Sequence, residues 1–152
     1  MSIWFEDIQI GQIISFGKYF ITREESVDFA NRYDPQLYHL DDDNAEKNPL
    51  FGRLSASGWL TAAIAMRMSV DYWHRVDLKV MGGAGADKLR FLAPVYPGDT
   101  LRAEAETLHL RLSRSRPGTG IQNVRTIVYN QNNDQVLSHV MDVLIYCRPA
   151  EL

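Results

Sequence analysis

The sequence has one cysteine, no long apolar run and no excess of positive charge. A lone cysteine, Cys147, excludes an internal disulfide framework and fits a reducing compartment. The longest apolar-rich stretch, residues 59–70, is too short and too interrupted to span a bilayer. The first residues carry acids and lack the basic and apolar parts of a signal peptide. With a net charge of −3 and no basic tail, we expect a cytoplasmic protein with no membrane or nucleic-acid partner.

What is present is an ordinary globular composition. Apolar residues make up 45% of the 152 residues and charged residues 23%. This length suits one domain with a real core and is short for two. We see no internal repeat or low-complexity linker, so residues 1–152 are interpreted as a single domain.

The first half contains two helix signals. After a predicted strand at 12–21, Thr22 and Glu25 match a capping box for a helix over 23–33. Pro35 disfavours helical geometry at Asp34, so the helix should end there and leave the Asp34 side chain at its exit. Further on, Ser57 is the predicted N-cap of the longest helix, which is apolar on more than one face and should therefore be buried.

From about residue 79 the hydrophobic period changes to two. A glycine-rich interruption precedes a predicted strand at 88–92, and further strands are predicted at 100–112, 121–130 and 135–147, with a bulge near Thr107. One strand, a short helix, a long buried helix and four more strands indicate an α+β fold, a curved antiparallel sheet wrapped around the central helix. Such a sheet leaves an open edge strand, so we expect a homodimer joined edge to edge.

The stretch YDPQLYHLDDD places Asp34 and His39 five positions apart. A carboxylate and an imidazole within reach of one water can activate it as a general acid/base pair. Taken alone, the pattern favours a helix-end acid and a hydrogen-bonded loop histidine. Gly58, in the first turn of the long helix, offers a free N–H at the positive end of the helix dipole, where a ligand carbonyl could bind. Taken alone, Gly58 favours tight packing.

No metal site is expected. The run 41–43 is contiguous, whereas calcium loops alternate their acids and include a glycine, so a solvated loop or a helix cap is favoured. His74, His109 and His139 lack ligand-like spacing and are interpreted as structural.

Together the two segments FANRYDPQLYHLD and FGRLSASGWLTAA resemble the MaoC-like hydratases of the hotdog-fold enoyl-CoA hydratase/dehydratase group. Their motif is Asp, four residues, His and Asp, followed by a loop to a helix that begins His-Gly or Ser-Gly. The segment DKLRFLAPVYPGDTL resembles the strand-turn-strand that follows this helix in the family, and LSRSRPGTGI resembles a loop of one branch. The resemblance covers nearly the whole chain.

The resemblance implies reversible addition of water to an enoyl-CoA, usually with an (R)-3-hydroxyacyl product. Asp34 and His39 would be catalytic, with Asp34 accepting a proton from the water and His39 holding it and helping to protonate the α carbon. Gly58 would bind the thioester carbonyl, and Ser57, Gln36 and Trp59 would contact or orient the substrate. No cofactor is implied beyond coenzyme A as part of the acyl-CoA substrate, and the expected assembly is a homodimer or a dimer of dimers.

Some positions depart from the family. Pro35 directly follows Asp34, Gln36 stands near the usual asparagine, and Met66 replaces a serine found in some members. A non-catalytic acyl-thioester-binding module therefore stays open. A hotdog thioesterase ranks lower, because that chemistry commonly uses an acid on the central helix and none occurs between residues 55 and 70. Basic residues are candidates for binding the CoA phosphates: Lys88, Arg90, Arg114 and Arg116.

Overall fold

The computed structural model describes residues 1–150 and contains one antiparallel sheet, whose strand order is β1-β3-β4-β5-β2. The strands are β1 (Ile13–Phe20), β2 (Val80–Phe91), β3 (Thr100–Leu112), β4 (Thr119–Tyr129) and β5 (Gln135–Tyr146). The helices are α1 (Arg23–Tyr33), α2 (Asp42–Glu46) and α3 (Gly58–Arg75), with short 3-10 helices at Phe5–Asp7 and Leu37–His39. The predicted α+β architecture is confirmed.

The core lies between α3 and one face of the sheet. Leu60, Ile64 and Met68 of α3 are buried against Leu101 of β3 and Leu137 of β5. Burying side chains of this size contributes about 1.5–3 kcal/mol each, so the contact holds α3 firmly in place. The first turn of α3 is thereby fixed relative to the sheet.

The ends of α1 follow the sequence signals. The Thr22 hydroxyl accepts a hydrogen bond from the Glu25 N–H at 3.1 Å, as an N-cap should. The Glu25 carboxylate does not complete the capping box, because it accepts instead from the Tyr19 hydroxyl. Asp34 is the C-cap with a non-helical backbone (φ −150°), directly before Pro35. The prediction that the helix ends at Asp34 is confirmed.

The glycine-rich stretch is not an interruption of the sheet. β2 runs through it from Val80 to Phe91, with register shifts against β5 that include one between Gly83 and Gly85. Glycine accommodates such bulges, and an edge strand with one neighbour tolerates them. The bulge predicted near Thr107 is confirmed by a register shift between Thr107 and His109.

The acidic run caps a helix. The Asp41 carboxylate accepts a hydrogen bond from the Asn44 N–H at 3.1 Å and begins α2. Across residues 1–150, no cluster of three or more His, Cys, Asp or Glu side chains could hold a metal ion. Within the same range, no helix is both long and apolar enough to cross a bilayer.

Candidate active site

A cavity of about 470 Å³ opens at the N-terminal end of α3, within the size range of small-molecule sites. Its walls come from the loop after α1, the segment before α3, the first turn of α3, residues 91–95 at and after the end of β2, and the start of β5. The polar side chains in its lining are Asp34, Gln36, Tyr38, His39 and Thr61. Most of the remaining lining is apolar, so the cavity suits an apolar group with one polar end.

Asp34 and His39 meet in this cavity. The Asp34 Oδ2 lies 3.3 Å from the His39 Nε2, and the two side chains are 17% and 5% exposed. The tight path from Asp34 through Pro35 to the 3-10 helix brings them together, and the His39 N–H donates to the Gln36 carbonyl at 2.9 Å. The spacing seen in the sequence thus produces a contact between a buried imidazole and a partly buried carboxylate.

The hydrogen bonds of His39 determine its tautomer. Its Nδ1 lies 2.7 Å from the Ser55 carbonyl oxygen, which can only accept, so Nδ1 carries the proton and donates. A neutral His39 therefore presents a bare Nε2 to the Asp34 carboxylate. Two acceptors 3.3 Å apart leave no room for a water between them, so they need a shared proton or a water that donates to them from the cavity side.

Asp34 is held by two further groups. The Ser57 hydroxyl donates to Oδ2 at 2.8 Å, and the Gln36 amide donates to Oδ1 at 2.9 Å. Ser57 is fully buried, and the same hydroxyl accepts from the Trp59 N–H as the N-cap of α3. Both side chains therefore orient Asp34, and the Ser57 hydroxyl faces the carboxylate and the helix end rather than the cavity.

Gly58 begins α3 and lines the cavity. Its N–H makes no hydrogen bond to an acceptor in the part of the chain described, whereas the next three N–H groups of the helix bond to Ser57 atoms. A Cβ at this position would lie 2.7 Å from the Phe91 ring, so a larger residue would force that ring to move. The N–H of Gly58 is thus a free donor at the positive end of the helix dipole.

Large apolar side chains form the mouth of the cavity. Trp59 is 58% exposed and packs edge-to-face on Phe91, with ring centroids 5.6 Å apart. Leu50 and Leu92 also line the cavity and are exposed. Trp59 therefore lies at the rim. Met66, which replaces a serine found in some members of the family, is half-buried and belongs neither to the core cluster nor to the cavity lining.

Three residues around the pair were not singled out from the sequence: Ser55, Tyr38 and Thr61. Ser55 is fully buried and contacts the His39 Nδ1 through both its carbonyl and its hydroxyl. Burial and, to a lesser extent, the charge of Asp34 raise the pKa of Tyr38, which keeps its phenol a neutral donor. Their proximity to Asp34 and His39 arises from folding, and the only local signal was the run of small residues Ser-Ala-Ser at 55–57.

The basic residues considered for phosphate binding do not lie in the cavity. Lys88 is exposed on β2 with a positive φ of 53°. Arg114 and Arg116 lie in the loop before β4. The first residue of β4, Thr119, pairs with Tyr146 near the end of β5. Val136, which lines the cavity, is at the other end of β5, roughly 33 Å away at about 3.3 Å per residue. Within one chain, the two arginines are therefore remote from the Asp34–His39 pair.

His139 and Cys147 lie outside the cavity lining. His139 is buried on β5, and burial lowers its pKa, so the ring is neutral near pH 7. Burial, followed by the Glu6 charge, raises the pKa of the half-buried Cys147 thiol. Neither group is activated for chemistry.

Comparison with known proteins adds a family to this geometry. The family model described as the MaoC like domain matches residues 7–130. The chain belongs to this family. A solved MaoC-like dehydratase from Rhodospirillum rubrum is 31% identical, with a TM-score of 0.85 over 98% of this chain and 100% of that one.

Two further similarities bear on fold and family. A Mycobacterium tuberculosis protein described as a double hotdog fold aligns with a TM-score of 0.82 over 99% of this chain and 46% of its own, at 20% identity, which supports the fold alone. The 3-hydroxyacyl-thioester dehydratase Z of Mycobacterium tuberculosis is 36% identical over 84 residues, or 55% of each chain. The fold is therefore a hotdog fold, and the MaoC-like family includes dehydratases.

Proposed function

We propose that this MaoC-like chain is an acyl-CoA hydratase/dehydratase that adds water reversibly across the α,β double bond of an enoyl-CoA. The observation that carries the proposal is the contact between Asp34 and the buried His39, in a cavity that Gly58, with its free N–H, also lines. The dehydratase named among the relatives acts, by its name, on 3-hydroxyacyl thioesters, which supports the same reaction class here.

The geometry suits the chemistry as follows. A water bound on the cavity side of the Asp34 carboxylate and the bare His39 Nε2 loses a proton to the pair as its oxygen bonds to the β carbon. The Gly58 N–H stabilises the negative charge that develops on the thioester oxygen as an enolate forms. The pair then returns a proton to the α carbon, which would give the (R)-3-hydroxyacyl product usual for such enzymes.

The substrate side and the assembly are part of the proposal. Coenzyme A enters as part of the acyl thioester, and the reaction needs no other cofactor or metal. We place the protein in the cytoplasm as a homodimer paired through β2. Antiparallel pairing with a second β2 would turn the arginine loop of the partner toward this cavity, where Arg114 and Arg116 could bind the CoA phosphates.

A non-catalytic acyl-thioester-binding module is the second candidate. The observation that favours it is the coordination of Asp34, whose two carboxylate oxygens already accept from Gln36 and Ser57. A thioesterase is not favoured, because Asp71, the first acid on α3, pairs with Arg67 and its side chain is 58% exposed.

Asp34→Asn tests the proposal with crotonyl-CoA as substrate. The amide cannot accept the proton of the water, so kcat/KM for hydration should fall by about 10²–10⁴-fold. Asp28→Asn is the matched control, since Asp28 is an exposed acid on α1 that pairs with Arg32. Unchanged hydration in Asp34→Asn contradicts the proposed chemistry. Binding without turnover by the wild type supports the binding module, and CoA release without hydration supports a thioesterase.

A further inference from the structure

Thr61 and Tyr38 are the polar side chains in the cavity that the proposed chemistry leaves unused, and Thr61 is the one that lies on α3 with Gly58. It is 2% exposed and lines the cavity wall on α3, one turn after Gly58. Among residues 1–150, its hydroxyl forms no hydrogen bond, whereas Asp34, Gln36 and His39 are bonded to one another or to the two buried serines. A buried hydroxyl without a partner is unfavourable, so Thr61 stands out as a site for a ligand atom.

The usual local explanation does not apply to Thr61. A helical threonine often donates to the carbonyl four residues earlier, as Ser69 does on the same helix to the Ala65 carbonyl at 2.8 Å. For Thr61, the carbonyl four residues earlier is that of Ser57. This carbonyl already accepts hydrogen bonds from the backbone N–H groups of Leu60 and Thr61. Among residues 1–150, the unpaired polar atoms sealed from solvent are Ser26 Oγ and His139 Nδ1. The Thr61 oxygen is not one of them, so it keeps some accessible surface, and the cavity is the pocket that Thr61 lines.

The placement of Thr61 relative to Gly58 indicates which ligand atom the free hydroxyl could bind. Residues three apart on a helix are neighbours on one face, and helical side chains lean toward the N-terminus. The Thr61 side chain therefore leans toward the turn that begins with Gly58, and both residues line the same cavity. A carbonyl oxygen has two lone pairs and can accept from both donors.

We propose that Thr61 donates the second hydrogen bond to the thioester oxygen and completes an oxyanion hole with the Gly58 N–H. This inference rests on the proposed acyl-CoA site. The two donors approach the oxygen from the helix, while the Asp34–His39 pair faces the acyl carbons. As negative charge grows on the oxygen, both bonds strengthen, so Thr61 stabilises the transition state more than the bound substrate.

The test uses butyryl-CoA with a ¹³C-labelled thioester carbonyl, a saturated compound that cannot be hydrated. Infrared difference spectra of the wild type should show the carbonyl stretch of the bound thioester shifted to lower wavenumber. Thr61→Val keeps the shape and loses the donor, so the shift should shrink, whereas Thr61→Ser should retain it. Ser69→Ala, which removes the α3 hydroxyl that already has a backbone partner, is the control and should leave the shift unchanged.

Turnover of crotonyl-CoA provides the second readout. Thr61→Val should lower kcat by about 10²-fold with little change in KM. An unchanged carbonyl shift in Thr61→Val overturns the role of Thr61 and leaves the hydratase proposal intact. If the carbonyl shift depends on Thr61 but the wild type does not hydrate crotonyl-CoA, Thr61 binds the thioester oxygen and the hydratase proposal is wrong. If the wild type does not bind butyryl-CoA, both proposals are wrong.

Discussion

At the scale of single residues, Ser57 has two tasks that are usually separate. Its hydroxyl accepts from the Trp59 N–H as a helix cap and donates to the Asp34 Oδ2 at 2.8 Å. The stability of α3 and the orientation of the proposed base therefore depend on one oxygen atom. The two tasks can be separated by substitution, because an N-cap tolerates glycine better than alanine.

Ser57→Ala and Ser57→Gly should lower kcat by a similar factor, about 10-fold, since both remove a hydrogen bond to a charged group. Their stabilities should differ. Alanine at the cap costs about 1 kcal/mol and glycine only a few tenths, which urea unfolding can resolve. Ser57→Thr keeps the hydroxyl and is the control. Rates that follow stability across the three variants would mean that Ser57 acts only as a cap.

At the scale of secondary-structure elements, the start of α3 and the end of β2 form one unit at the cavity mouth. Gly58 leaves room for the Phe91 ring, which also packs on Trp59. The sequence suggested two reasons for Gly58, tight packing and a free N–H, as alternatives. In the structure both hold. The absent side chain leaves room for the Phe91 ring, and the backbone N–H of the same residue stays unpaired.

Gly58→Ala should destabilise the protein when Phe91 is present, since the new Cβ would lie 2.7 Å from the ring. In a Phe91→Ala background the clash is gone, and the better helix propensity of alanine, worth up to about 1 kcal/mol, should make the same change neutral or stabilising. Urea unfolding of the four proteins in this double-mutant cycle measures the coupling. If Gly58→Ala changes the free energy of unfolding equally in the two backgrounds, the contact with Phe91 is not what makes the substitution destabilising.

Most elements could be predicted because their signals are local. Thr22, Pro35 and Ser57 determine helix ends through hydrogen bonds or sterics within a few residues, and the structure confirms these ends. The glycine-rich stretch of β2 was predicted incorrectly for the opposite reason. Glycine weakens a strand locally, but pairing with β5 along the sheet edge outweighs that preference.

At the scale of the whole molecule, β2 is an edge strand whose residues are mostly exposed, and its last residue, Phe91, borders the cavity. An exposed edge next to large apolar side chains is a typical site for pairing with another chain. This arrangement supports the proposed homodimer through β2.

Sedimentation equilibrium at micromolar concentration should give about twice the 17.4 kDa chain mass. Phe91→Glu places a charge beside the proposed interface and should shift the protein toward monomers. Ile13→Glu changes a residue that is 62% exposed on β1, at the opposite edge, and should not. A monomeric wild type, or equal effects of the two charges, would exclude pairing through β2.

The sequence alone determined the order and type of most elements, the exit of Asp34 from α1 and the cap at Ser57, because these depend on interactions between near neighbours. Only the tertiary structure decided what surrounds the pair. Ser57 reaches Asp34 across 23 residues, Ser55 reaches His39 across 16, and Thr61 faces the same cavity. Such contacts follow from the packing of α3 against the sheet, which brings together segments whose separation along the chain carries no local signal.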